Sequence, residues 1–119
     1  KARPEVAEVF YPGLESHPGH DVARRQMPGG FGGVLSFQLH GDFDVVKRFL
    51  PRLRWAHRAA NLGAVETVVA PPATGSHVEL TAAERAALGI PETLVRYSCG
   101  IEDADDLNAD LDQALTRTA

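Results

Sequence analysis

Arg96 is the residue whose type and setting most invite chemistry. It stands in Thr93–Asp103, TLVRYSCGIED, which reads as a strand ended by a glycine and followed by an acidic helix start. A guanidinium is a planar, two-pronged donor that matches a carboxylate, and its hold strengthens where water is excluded. The plain alternative is a surface strand with its arginine in water. Other candidates are weaker. His17 and His20 have HxxH spacing but no third ligand is suggested nearby, and His40, His57 and His77 are scattered, so no metal site is expected. Ser36, Ser76 and Ser98 lack a GxSxG context. The glycine cluster Met27–Gly33, MPGGFGG, fits no phosphate-loop spacing and reads as a tight turn. Cys99 is the single cysteine, which leaves no CxxC pair and points to a buried, inert thiol. The acids from Glu102 to Asp106 read as helix capping rather than as a catalytic carboxylate pair.

Composition bounds the classes. The net charge of −4 speaks against nucleic acid, which wants a basic face. The run Arg48, Arg52, Arg54, Arg58 then reads as a solvated face. No apolar stretch approaches the roughly 20 residues that span a bilayer, and KARPEVAEVF has no signal-peptide core. A cytoplasmic protein is the simplest expectation. There are only two lysines, Lys1 and Lys47, and neither has a context that would lower its pKa for imine chemistry.

The elements that must position Arg96 follow from periodicity. Val6–Tyr11 is a short β-rich run, and a helix is expected from His17-Pro18 to about Gln26. Val34–Leu39 alternates, with Leu35, Phe37 and Leu39 on one face. Asp42 caps a helix to about Leu50, and Pro51 stops it. Strands are expected at Leu53–Ala59 and Val65–Ala70. Thr81 and Glu84 form a capping box that opens a short helix ended by Gly89. After the strand Leu94–Cys99, Asp103 caps a last helix with Leu107, Leu111, Ala114 and Leu115 on one stripe. The expected fold is α/β, an α+β two-layer domain over residues 1–119 with a mixed, largely antiparallel sheet and helices on one face. Within the last strand, Val95, Tyr97 and Cys99 face the helices, while Leu94, Arg96 and Ser98 face away and should be exposed.

Several segments together resemble a family: YPGLESHPGHDVARRQM, GGFGGVLSFQL, NLGAVETVV, PPATGSH, ERAALGI and LVRYSCGIEDADDLNADLDQAL. They look like the C-terminal domain of the pyridoxal-phosphate (PLP)-dependent trans-sulfuration enzymes of Cys/Met metabolism, which include cystathionine γ-synthase, the cystathionine lyases and methionine γ-lyase. The resemblance runs from about Val6 to Leu115. It implies the small C-terminal domain of a fold-type I PLP enzyme, a fragment whose N-terminal domain would hold the cofactor and its lysine. It also implies an amino-acid substrate, β- or γ-elimination or replacement, and a homotetrameric full-length protein. The arginine of the family's LVR-x-S-x-G motif maps onto Arg96, which implies that Arg96 binds the substrate α-carboxylate.

The chain departs from the pattern at one place. Where the family usually has Ser-Leu-Gly-Gly or Ser-Trp-Gly-Gly, this chain has Asn61-Leu62-Gly63-Ala64. The residue before that serine is glutamate in several cystathionine-processing members, and here it is Ala60. The resemblance thus implies Arg96, Asn61, Ala60 and Leu62 as substrate-binding residues, with no acid to receive a distal ammonium group. The alternative is a non-catalytic small-molecule-binding or oligomerisation domain.

Overall fold

Alternation of apolar and polar residues builds the sheet. A computed structural model describes residues 3–116 and Thr118, so the expectation for Lys1 lies outside the described residues. The elements are β1 (Val6–Phe10), α1 (His20–Gln26), β2 (Val34–Leu39), α2 (Phe43–Phe49), β3 (His57–Arg58), β4 (Val68–Ala70), α3 (Ala82–Ala87), β5 (Leu94–Ser98) and α4 (Ala104–Thr116), with short 3-10 turns at Leu50–Arg52 and Pro72–Thr74. The strands form one sheet in the order β1-β2-β5-β4-β3, and only β3 and β4 run parallel.

Register decides which side chains share a face. Phe37 pairs with Val95, Leu35 with Tyr97, and Val69 with Tyr97. These residues meet α2 and α4, and the core contains Phe37, Leu39, Val46, Phe49, Val69, Val95, Tyr97, Ala114 and Leu115. Phe37 and Phe49 meet edge to face, with centroids 5.8 Å apart. Burying a side chain of Phe49's size contributes about 1.5–3 kcal/mol. Caps hold both helices in place. The Asp42 carboxylate accepts from the Asp44 N–H at 3.0 Å and the Asp103 carboxylate from the Asp105 N–H at 2.8 Å. On the other face Ser36 and Ala70 flank Arg96.

Three expectations need correction. The strand expected at Leu53–Ala59 shrinks to His57–Arg58. Its first half is captured by a buried acid instead: Asp110 on α4 accepts from the Arg54 N–H and the Trp55 N–H, each at 2.9 Å. Those donors are therefore withdrawn from any strand ladder. The strand expected at Val65–Ala70 begins only at Val68, because Val65 gives its carbonyl to the Ile101 N–H. Helix α1 starts at His20 rather than His17, since the Gly19 N–H donates to the His17 ring and His17–His20 closes a turn.

Candidate functional site

Strand β5 carries Arg96 on the face away from α2 and α4, where the side chain is half-buried. Its Nη2 donates to the Asn61 carbonyl oxygen at 2.9 Å. No described acid pairs with it, and its other donors have no partner among the described residues. Arg96 lines a cavity of ≈ 130 Å³ with Ala60, Ala70, Pro72, Gly75 and Ser76. The walls are thus nearly devoid of side chain. A guanidinium steadied at one nitrogen and open at the rest is suited to an incoming carboxylate.

Two latches fix the segment 60–67 against β5. In the first, Ser98 Oγ accepts from the Gly63 N–H at 2.9 Å. This corrects the expectation that Ser98 is exposed: it is 1% exposed, because the loop lies over it. Gly63 sits at φ +71°, a left-handed conformation that favours glycine. In the second latch, Thr67 is fully buried. Its N–H and Oγ1–H each donate to the Glu102 carboxylate at 2.7 Å, and its Oγ1 accepts from the Gly100 N–H at 2.9 Å. The hydrogen bonds from Thr67, backbone first, hold the Glu102 carboxyl below the usual glutamate range. Glu102 therefore serves this latch rather than capping α4, which Asp103 caps. Gly100 is needed here, since a β-carbon would lie 2.6 Å from the Glu66 carbonyl carbon.

The structure sorts the expected site residues. Ala60 and Arg96 line the same cavity. Asn61 meets Arg96 through its backbone carbonyl, while its side-chain oxygen turns back to accept from the Leu62 N–H at 2.8 Å. Leu62 stands 53% exposed beside them and does not line the cavity. Ser98, Thr67 and Glu102 escaped the sequence reading as positioning residues, because a single serine or threonine carries no spacing signal. Cys99 is half-buried, and burial pushes its thiol up, with Glu102 adding to the shift. Lys47 lies exposed on α2, 2.8 Å from Asp44 and over the Phe43 ring.

Comparison with known proteins agrees in sequence and in shape. A family model described as Cys/Met metabolism PLP-dependent enzyme matches residues 1–116. The chain is 46% identical over 115 residues to cystathionine gamma-synthase 1, chloroplastic, of Nicotiana tabacum, covering 97% of this chain and 21% of that one. It is 44% identical over 114 residues to L-methionine gamma-lyase of Fusobacterium nucleatum subsp. polymorphum, covering 96% of this chain and 29% of that one. The crystal structure of cystathionine gamma synthase from Xanthomonas oryzae pv. oryzae in complex with cystathionine superposes with a TM-score of 0.91 at 44% identity, over 98% of this chain and 30% of that chain. The chain therefore spans less than a third of the length of these relatives.

Proposed function

We propose a function on one premise: the chain belongs to the Cys/Met metabolism family of PLP-dependent enzymes. It forms the α-carboxylate-binding side of the active site in a carbon–sulfur lyase or γ-synthase that acts on sulfur-containing amino acids. Residues 1–119 act as one domain, and the PLP-holding domain precedes it in the same protein. The observation that carries this reading is the Arg96 guanidinium, steadied by the Asn61 carbonyl and without an acid partner among the described residues.

Each residue has a task. Arg96 takes the substrate carboxylate in charge-assisted hydrogen bonds and so fixes the orientation of Cα. The Asn61 carbonyl keeps the guanidinium from swinging. Ser98 holds the loop that carries that carbonyl. Ala60 adds no acid to the cavity wall, which disfavours a distal ammonium group. Leu62 offers exposed apolar surface to the substrate side chain. PLP in the whole protein supplies the electron sink for elimination or replacement. The described residues of this chain do not fit that cofactor, because their one lysine, Lys47, is exposed and paired with Asp44. The family reading also makes the whole protein a homotetramer, and a cytoplasmic location remains part of the proposal. Among the described residues no helix is long and apolar enough to cross a membrane.

The test is Arg96→Ala in the whole PLP-bound protein. The loss of one bidentate charged contact lowers kcat/KM by about 30-fold to several thousand-fold, while the cofactor absorbance stays unchanged. Amino-acid amides should suffer much less than the acids. Equal loss on acids and amides, or release of PLP, would make Arg96 a structural residue.

A further inference from the structure

Arg85 stands in the ERAALGI stretch and is the buried residue of α3, 8% exposed. A guanidinium withdrawn from water is costly unless it is paired. Its Nη1 donates to the His77 carbonyl at 3.2 Å and to the Leu80 carbonyl. On its other side Nε donates to Glu92 Oε1 at 2.9 Å, and Nη2 lies 2.8 Å from the same oxygen. These partners stand at two places that matter for Arg96. His77 follows Ser76, and Pro72, Gly75 and Ser76 form one wall of the Arg96 cavity. Ser76 Oγ also lies 2.8 Å from the His77 ring. Glu92 precedes the buried Thr93 and then β5, the strand that carries Arg96. Beyond Ala73 the wall has little else to hold it. No residue from 74 to 80 is buried, and the backbone hydrogen bonds of that segment run within it or back to Pro71 and Pro72.

Arg85 thus ties the segment that walls the cavity to the chain that enters the Arg96 strand. We propose that Arg85 is a positioning residue for the substrate carboxylate: through His77, Leu80 and Glu92 it clamps the cavity wall in place and keeps water from the Arg96 guanidinium. This rests on the reading of Arg96 as the α-carboxylate site and adds the device that sets its shape. The consequence is electrostatic. A contact between charges is strong where water is kept out, and it weakens where water and salt enter. A cavity of ≈ 130 Å³ has room for only a few waters. A wall released at residue 77 would turn it into an open cleft. Arginine suits the task because one planar fork reaches two carbonyls and a carboxylate in a fixed geometry, which a lysine ammonium on its flexible stem does not.

The experiment uses the whole PLP-bound protein and measures dissociation constants for L-norleucine and L-norleucinamide by calorimetry, at low and at high salt. The two probes share a side chain, and only the acid presents a carboxylate to Arg96. The native protein should prefer the acid. Arg85→Lys and Glu92→Ala should each shrink that preference about 3- to 10-fold. In both variants the affinity for the acid should also fall more steeply with salt than in the native protein, because the contact is no longer shielded. Glu92→Gln keeps an acceptor oxygen and loses the charge. It carries the same test if the stronger variants fail to fold, with a smaller shift of about 2- to 3-fold. A preference and salt dependence equal to the native values in these variants overturns the proposal. So does an equal loss for acid and amide, or a loss of PLP, since either would make Arg85 a residue of the fold alone. Arg96→Ala separates the two readings. If it abolishes the preference while Arg85→Lys, Glu92→Ala and Glu92→Gln keep it, the α-carboxylate site stands and the clamp falls. If Arg96→Ala leaves the preference intact, both fall.

Discussion

Arg96 and Tyr97 are consecutive residues of one strand, yet they belong to two different regions. Tyr97 is 1% exposed beneath α2 and α4, with Val69 and Leu35 as its cross-strand neighbours. Arg96 is half-buried on the other face, among alanine, proline, glycine and serine. One face is closed by side chains and the other by a loop held on hydrogen bonds. The first can be disturbed only at a cost in stability. The second can be altered in recognition while the fold persists.

The largest test of that division is Phe49→Ala set against Arg96→Ala. Phe49 is fully buried and packs on Phe37. Truncating it should cost about 3–5 kcal/mol through lost burial and the cavity left behind. Arg96→Ala removes one hydrogen bond to a loop carbonyl and should change stability by no more than about 1 kcal/mol. Urea unfolding of the 119-residue chain measures both. Comparable losses from the two would erase the distinction between the faces.

Asp110 gives the next largest effect. It is 3% exposed and accepts the Arg54 and Trp55 amides as well as the Gln113 side-chain amide. Asp110→Ala leaves the Arg54 and Trp55 amides without an acceptor, while Gln113 keeps the Arg52 carbonyl, and should cost about 2–4 kcal/mol. Asp110→Asn, which keeps one acceptor oxygen, should lose less. Both changes lie on the helix side, so binding at Arg96 should weaken only as the folded fraction falls. A selective loss of affinity at full folding would show that the segment 53–59 couples the two faces.

These residues also mark how far the sequence could be read. Strands β2 and β5 were legible because their apolar residues alternate without interruption. The caps Asp42, Thr81 and Asp103 were legible because a short polar side chain three residues or fewer from its target is a local signal. Leu53–Ala59 alternates just as well but is mostly not strand, because a carboxylate 56 residues away takes its amides. Ser98 follows strand parity, but a loop folds over it and reverses its exposure. In the site, Arg96 and Ala60 were nameable from a resemblance. That Asn61 meets Arg96 through its backbone carbonyl was not, since a backbone contact leaves no trace in residue type.

Acid titration probes the latch that joins the two regions. The Glu102 carboxyl is held below its usual range by the Thr67 hydrogen bonds. A depressed folded-state value means that the charged form stabilises the fold. That contribution is present above the ordinary glutamate range and is lost as pH falls through the folded value. The native chain should therefore lose stability on acidification, and Glu102→Gln should flatten that part of the curve while being less stable at neutral pH. Glutamine can still accept from the Thr67 N–H, but its amide nitrogen cannot accept from Thr67 Oγ1. Parallel native and Glu102→Gln curves between neutral and acid pH would remove Glu102 from the latch.

The smallest effect is the sharpest test of the contrast between residues 96 and 97. The Tyr97 hydroxyl is buried with no hydrogen-bond partner among the described residues. Burial drives its ionisation far above the usual phenol range, and Cys99, Asp110 and Glu102 add to the shift, so the hydroxyl stays a neutral donor. A buried unpaired hydroxyl costs roughly 1–3 kcal/mol, while removing it forfeits only a few contacts. Tyr97→Phe should therefore leave stability unchanged or raise it by up to about 1 kcal/mol, and it should not touch affinity at Arg96 one residue away. Denaturation of the chain and ligand binding by the whole protein measure the two halves. A clear loss of stability would mean that the hydroxyl is bonded in solution. A change in affinity without one would mean that the strand transmits strain between its faces, so that the helix side does more than hold the fold.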